Sequence, residues 1–95
     1  VTPDAPLRTT VYPNPFNPAT TIALDRPRAG QVRLAIYDLR GQLVRTLVDE
    51  RLAAGHREVV WDGTDAHGEA VASGVYFAEV RAGGEVVVHK LALVK

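Results

Sequence analysis

Val32-Arg33-Leu34-Ala35-Ile36-Tyr37 is followed directly by Asp38-Leu39-Arg40-Gly41. The first six residues place Val32, Leu34 and Ile36 on one face and Arg33, Ala35 and Tyr37 on the other. That period of two is the mark of a half-buried strand. The next four are turn residues, with a glycine free to take positive φ. A strand stopped by a tight turn is the unit from which the rest of the chain is read.

Toward the N-terminus, Thr20, Ile22 and Leu24 alternate with Thr21, Ala23 and Asp25, which predicts a second strand. Arg26-Pro27-Arg28-Ala29-Gly30 separates the two with turn chemistry. Further upstream stands Val11-Tyr12-Pro13-Asn14-Pro15-Phe16-Asn17-Pro18. Each proline restricts the residue before it to extended backbone and removes a ladder donor. A central strand cannot pass through three of them, so an edge strand breaking into an ordered turn is expected. Residues 1–10, opening Val1-Thr2-Pro3-Asp4-Ala5-Pro6, read as a linker from an upstream domain, and residues 11–95 as the folded unit.

Toward the C-terminus, Leu43, Val44, Leu47, Val48 and Leu52 could mark a helical face. A helix of about ten residues is marginal, and the β surroundings favour a strand with a charged end at Asp49-Glu50-Arg51. Arg57, Val59 and Trp61 alternate in another strand. Asp62-Gly63-Thr64-Asp65-Ala66-His67-Gly68 is a dense turn cluster. Val75–Arg81 and Glu85–Val94 are strands around an Ala82-Gly83-Gly84 hairpin turn. Seven short strands with frequent turns predict an all-β, immunoglobulin-like Greek-key β-sandwich. Its expected core is Ile22, Leu24, Val32, Leu34, Ile36, Val59, Trp61, Tyr76, Ala78, Val80, Leu91 and Leu93. Ser73-Gly74-Val75-Tyr76 is similar to a tyrosine corner.

Composition narrows function. The hydrophobic fraction of 46% with 23% charged residues indicates a globular chain rather than a disordered one. Eleven basic residues offset eleven acidic ones, and the basic ones are scattered, so no stripe recruits nucleic acid. Without cysteine there is no disulfide or thiolate metal site. No apolar run is long enough for a membrane span. No signal peptide opens the sequence, so an export signal is expected upstream if the protein is exported.

Candidate chemistry is sparse. Asp62, Asp65 and His67 lack the spacing of a calcium loop, and the reading is a turn held by carboxylate-to-amide bonds. His56, His67 and His89 fall on separate segments, without zinc spacing. Ser73 has no nucleophile elbow, and no glycine-rich phosphate loop is present. No catalytic, metal or cofactor residue is therefore assigned. Phe16 is expected to plug the open end of the sandwich, with a docking epitope around Tyr12 and Phe16 as the alternative. The run Val86-Val87-Val88 exceeds what one buried face can take. With Phe77, and with Tyr37 extending it, an outward apolar patch is expected.

Four motifs line up in order: Tyr12-Pro13-Asn14-Pro15-Phe16-Asn17-Pro18, Val32 through Gly41, Ala54-Gly55-His56 through Trp61-Asp62-Gly63, and Ala72-Ser73-Gly74-Val75-Tyr76-Phe77. Together they resemble the C-terminal sorting domains of the type IX (Por) secretion system, in the variant closest to the immunoglobulin-like domain of the flagellar hook-capping protein. The resemblance spans roughly residues 11–95. It implies a non-catalytic domain at the C-terminus of a larger secreted protein, often a hydrolase, of a gram-negative bacterium. The implied partners are the upstream passenger, the outer-membrane translocon and a surface sortase, and the implied location is the cell surface or exterior, reached via the periplasm. The last strand, with Lys90, Leu91, Leu93 and Lys95, is the expected recognition element. Asn14, Pro15, Phe16, Trp61, Gly74 and Tyr76 are expected to give structural support. Cleavage is expected before Val11. The alternatives are a hook-capping domain, or a spacer or carbohydrate-binding module.

Overall fold

A computed structural model describes residues 7–26 and 28–95. It contains β1 (Arg8–Tyr12), β2 (Thr20–Arg26), β3 (Gly30–Asp38), β4 (Leu43–Leu52), β5 (Gly55–Trp61), β6 (Gly74–Ala82) and β7 (Glu85–Leu93). One sheet has the order β1-β2-β5 and the other β4-β3-β6-β7, and every pairing is antiparallel. The chain changes sheets between β2 and β3, β4 and β5, and β5 and β6. This is the expected immunoglobulin-like sandwich. Its turns follow the predicted chemistry: Gly83 and Gly84 both take positive φ, 57° and 84°, in a tight β6–β7 hairpin.

The two sheets press their apolar faces together. Ile22, Leu24, Val32, Leu34, Ile36, Trp61, Ala78, Val80 and Leu91 are fully buried, and Tyr76 and Leu93 nearly so. Val59 departs from expectation, being only partly buried at the rim of the cluster. Leu7, Phe16, Val48, Leu52 and Ala82 join the core. The Arg26 guanidinium is also buried, and it donates to the carbonyls of Gly30 and Leu52 at 3.0 and 3.2 Å. These bonds offset the cost of taking the charged group out of water.

β4 explains its own ambiguous pattern. Leu34 pairs with Val48 but Ala35 with Thr46, and Ile36 pairs with Arg45 but Tyr37 with Leu43. Leu47 and Val44 are thus extra residues, each forming a bulge. Each bulge shifts the inside–outside phase by one. Apolar residues then recur at spacings that imitate a helix, although the segment is a strand throughout.

The folded unit also begins earlier than expected. Leu7 is buried against the core, and Arg8–Thr10 pair with β2 residues. The segment expected to be linker therefore contributes the first strand from residue 8 onward. Residues 1–6 lie outside the described residues.

Candidate functional site

The proline-rich segment after β1 folds across one end of the sandwich and grips the last strand. The buried Thr20 hydroxyl donates to the Pro13 carbonyl at 2.8 Å, holding the start of the segment against β2. The Asn14 side chain then bonds β7 in both directions. Its Nδ2 donates to the Lys90 carbonyl at 2.8 Å, and its Oδ1 accepts the Ala92 amide at 3.0 Å. Two residues on, the Phe16 amide donates to the Ala92 carbonyl and the Phe16 carbonyl accepts the Val94 amide, both at 2.9 Å. Asn14 and Phe16 thus act as a short parallel strand on the outer edge of β7. The prolines suit this role, since a fixed φ and a missing donor cost nothing where alternate residues make the contacts.

Beneath this clasp lies an aromatic stack. Phe16 lies 5.5 Å from Trp61 between ring centroids, and Trp61 lies 5.3 Å from Tyr76 edge to face. Both separations suit quadrupole-favoured aromatic pairs. The Trp61 indole N–H donates to the Thr64 carbonyl at 2.9 Å. The Tyr76 hydroxyl donates to the Ala72 carbonyl at 2.7 Å, which is the expected tyrosine corner. Gly74, with φ 155°, turns the chain into β6 ahead of it. Gly63, with φ 77°, lies directly against the Pro18 carbonyl and the Leu93 side chain. Three of the four sequence motifs therefore meet at one end of the molecule, near the C-terminal strand, while the Val32–Gly41 motif forms β3 and its turn, one strand removed from β7.

The recognition residues expected on that strand separate into two sets. Lys90 and Lys95 are exposed. Lys95 is tied to the segment before β6, its amide donating to Ser73 Oγ at 3.1 Å and its ammonium to the Val71 carbonyl. Leu91 and Leu93 point into the core, with 0% and 2% exposure, so their side chains are closed to a partner while the domain is folded. Phe16 is likewise buried, which leaves Tyr12 as the exposed aromatic of that segment. Of the expected outward patch, Val86 and Val88 are exposed and Phe77 and Tyr37 half-buried, but the β6 partners of the two valines are Arg81 and Glu79, which bond each other at 2.6 Å, so this face mixes apolar and charged groups. The role of Asn14 as a backbone mimic was not legible in the sequence, because its partners lie 76 and 78 residues away.

Replacing Asn14 with alanine removes both side-chain bonds to β7. At an exposed site this lowers stability by about 1–2 kcal/mol. Hydrogen exchange resolved by residue checks it: the Ala92 amide should exchange faster, while amides of the β3–β6 ladder change little.

The Asp62–Gly68 loop uses its carboxylates internally. Asp62 Oδ1 accepts the Thr64 amide at 3.1 Å, and Asp65 Oδ1 accepts those of His67 and Glu69 at 2.8 and 3.1 Å. The Thr64 hydroxyl holds the Asp62 carboxyl below its usual range, and the Glu69 and His67 amides do the same for Asp65. Arg45 Nη1 ties the loop to β4 through Thr64 Oγ1 at 2.6 Å and the Asp65 carbonyl at 3.2 Å. Among the described residues no three ligating side chains gather to hold a metal.

On the outer face of the β1-β2-β5 sheet, His56 bridges two carboxylates, Nδ1 to Asp25 at 2.8 Å and Nε2 to Glu58 at 3.0 Å. The bond to Glu58, and then that to Asp25, raises its pKa above the ordinary value. A raised folded pKa contributes stability that is complete below the unfolded value of about 6.5 and is lost as pH rises through the folded value. Urea midpoints should therefore fall between about pH 6 and pH 8, and His56→Gln should flatten that part of the profile.

These observations define an immunoglobulin-like domain whose proline-rich segment clasps its own C-terminal strand. The sequence profile of the FlgD Ig-like domain matches residues 14–85, and the chain belongs to that family. No curated protein matches it significantly. Among solved structures it is similar to dimeric latent PorU from Porphyromonas gingivalis, with TM-score 0.72 and 23% identity over 99% of this chain and 10% of that one. It is similar to PorZ, an essential surface component of the type-IX secretion system of the same bacterium, with TM-score 0.60 and 25% identity over 92% of this chain and 11% of that one. It is also similar to FlgD from P. aeruginosa, with TM-score 0.55 and 24% identity over 78% of this chain and 59% of that one. The chain thus spans about a tenth of the two Porphyromonas proteins.

Proposed function

We propose that this chain is a non-catalytic sorting and attachment domain, which directs an upstream secreted protein across the outer membrane by the type IX route. The observation that carries the reading is the clasp. Asn14 and Phe16 bond the C-terminal strand, Gly63 lies against its Leu93, Tyr76 pairs with its Leu91, and Trp61 backs Phe16 and Tyr76 from beneath, so the domain presents that strand as one rigid object. The likeness to PorZ, a component of that system, supports the same direction. The partners on this reading are the translocon, a surface sortase and the passenger, at the cell surface or exterior. With Leu91 and Leu93 buried, recognition of the folded domain falls to the exposed Lys90 and Lys95 and to the outline of β7. Removal of the domain by a sortase would cut before Leu7, because a cut between Leu7 and Val11 severs a paired strand.

A reporter carrying an export signal and fused to residues 1–95 tests this in a bacterium with a working type IX system. Deleting Lys90–Lys95 would also remove two core leucines and unfold the domain. The informative variant is Lys90→Glu with Lys95→Glu, which leaves the core intact. The unaltered fusion should reach the surface and the charge-reversed one should accumulate in the periplasm. If the unaltered fusion stays in the periplasm, the sorting role is wrong. The second reading is a hook-capping domain, favoured by the family match itself. Restoration of motility to a strain lacking its hook cap, by a chimera carrying this domain, would select it.

A further inference from the structure

The first and last segments of the fold lie side by side and run in the same direction. The Leu7 amide donates to the Glu85 carboxylate at 3.3 Å, and the Thr9 hydroxyl pairs with the His89 ring. Further along, Asn14 bonds Lys90 and Ala92, and Phe16 bonds Ala92 and Val94. Residue numbers rise together on both sides, and the Phe16–Leu93 bridge is parallel. Leu7 therefore sits at the end of the sandwich that carries the β6–β7 hairpin. Val94 and Lys95 sit at the opposite end.

That geometry decides how a pull on the chain is carried. Tension applied ahead of Leu7 and at Lys95 slides the two parallel segments past each other along their length. The bonds between them lie across that direction, so they are strained together and not one after another. β1 is held on its other side as well, where Arg8–Tyr12 pair antiparallel with Thr21–Asp25, and that ladder is also loaded lengthwise. Sliding must further draw apolar anchors out of the core. Leu7 and Phe16, at the two ends of the first segment, are 8% and 2% exposed, and Leu91 and Leu93 anchor β7.

We propose that residues 7–16 and β7 form a shear clamp, which makes this domain a force-bearing link between the two ends of its chain. The inference stands apart from the sorting reading, because it concerns only how the domain resists tension. A pull from one end of the sandwich should meet far less resistance. Tension between the chain ahead of Leu7 and residue 86 peels the two segments apart from the hairpin end. The Leu7–Glu85 contact then breaks first and alone.

Optical-trap pulling on residues 1–95 tests the clamp. One pair of handles is attached at the two termini, and a second pair at the N-terminus and at Val86→Cys. Val86 is half exposed, so that variant should fold, as read by circular dichroism. Asn14 and Phe16 make four bonds to β7, and each is worth about fivefold in rate. Breaking four together, where peeling breaks one at a time, should lengthen the folded lifetime at equal load about 100-fold in the end-to-end geometry. Asn14→Ala should shorten the end-to-end lifetime about 5–30-fold. Gly68→Ala, whose strain lies in a loop outside the clamp, should lower stability in urea and leave that lifetime unchanged. Equal lifetimes in the two geometries overturn the proposal. So does an Asn14→Ala variant that holds as long as the parent, or a Gly68→Ala variant that fails as fast as Asn14→Ala.

Discussion

Trp61→Ala should lower the unfolding free energy by about 3–5 kcal/mol, a large share of what a domain of this size possesses. Trp61 is completely buried and is the largest such side chain. Its loss removes transfer energy, leaves a cavity between the sheets, and breaks both ring contacts at once. It also strands the Thr64 carbonyl, which accepts the indole N–H. Phe16 would lose the wall against which it packs, so the clasp should loosen along with the core. Equilibrium urea denaturation measures the total. Trp61→Phe separates the contributions, because it keeps an aromatic ring and loses the hydrogen bond. A loss of under about 1.5 kcal/mol for Trp61→Ala would show that the two sheets close without this residue.

What could be read from the sequence was whatever repeats locally. The two-residue period over Thr20–Asp25 and Val32–Tyr37 places inward Thr20, Ile22, Leu24, Val32, Leu34 and Ile36, all of which the fold buries, while the small Ala23 and Ala35 of the opposite face are covered as well. Turn residues at Asp38–Gly41 and Gly83-Gly84 end strands where expected. Leu43–Leu52 is a strand, as its surroundings predict, but the pattern does not disclose its bulges. A bulge is defined by the partner strand, and the skipped residues Leu47 and Val44 look ordinary in isolation. The position of Leu7 was hidden for a similar reason. A single apolar residue among polar neighbours has no period, and only the β1–β2 register shows that it belongs to the fold.

The candidate site was legible as a set of motifs and illegible as a mechanism. Asn14, Phe16, Trp61, Gly74 and Tyr76 stood out by residue type and spacing. That they converge on β7 depends on contacts spanning most of the chain, such as the Ala92-to-Asn14 bond at a separation of 78 residues. The same contact reassigns the strand's residues. Leu91 and Leu93 are distinctive because they hold the last strand to the core, whereas the surface a partner meets is made of backbone outline, Lys90 and Lys95.

The second large effect is expected at Gly63, where two motifs touch. Its φ of 77° lies in the left-handed region, which costs an alanine about 1–2 kcal/mol. A Cβ there would also meet the Pro18 carbonyl oxygen at 2.9 Å. That oxygen belongs to the backbone of the clasp segment, which Thr20, Asn14 and Phe16 pin on either side, so it cannot move without disturbing them. Gly68 supplies the control, because its φ of 82° is nearly the same and nothing lies within 4 Å of its Cβ position. Gly68→Ala should therefore lose only the conformational term, about 1–2 kcal/mol. Gly63→Ala should lose about 2–4 kcal/mol, the excess being the displaced backbone. The excess should also accelerate exchange of the Ala92 and Val94 amides, which Gly68→Ala leaves protected. Equal losses for the two variants would mean that the clasp yields freely, and that the tryptophan–aspartate–glycine turn and the proline-rich segment are neighbours without being coupled.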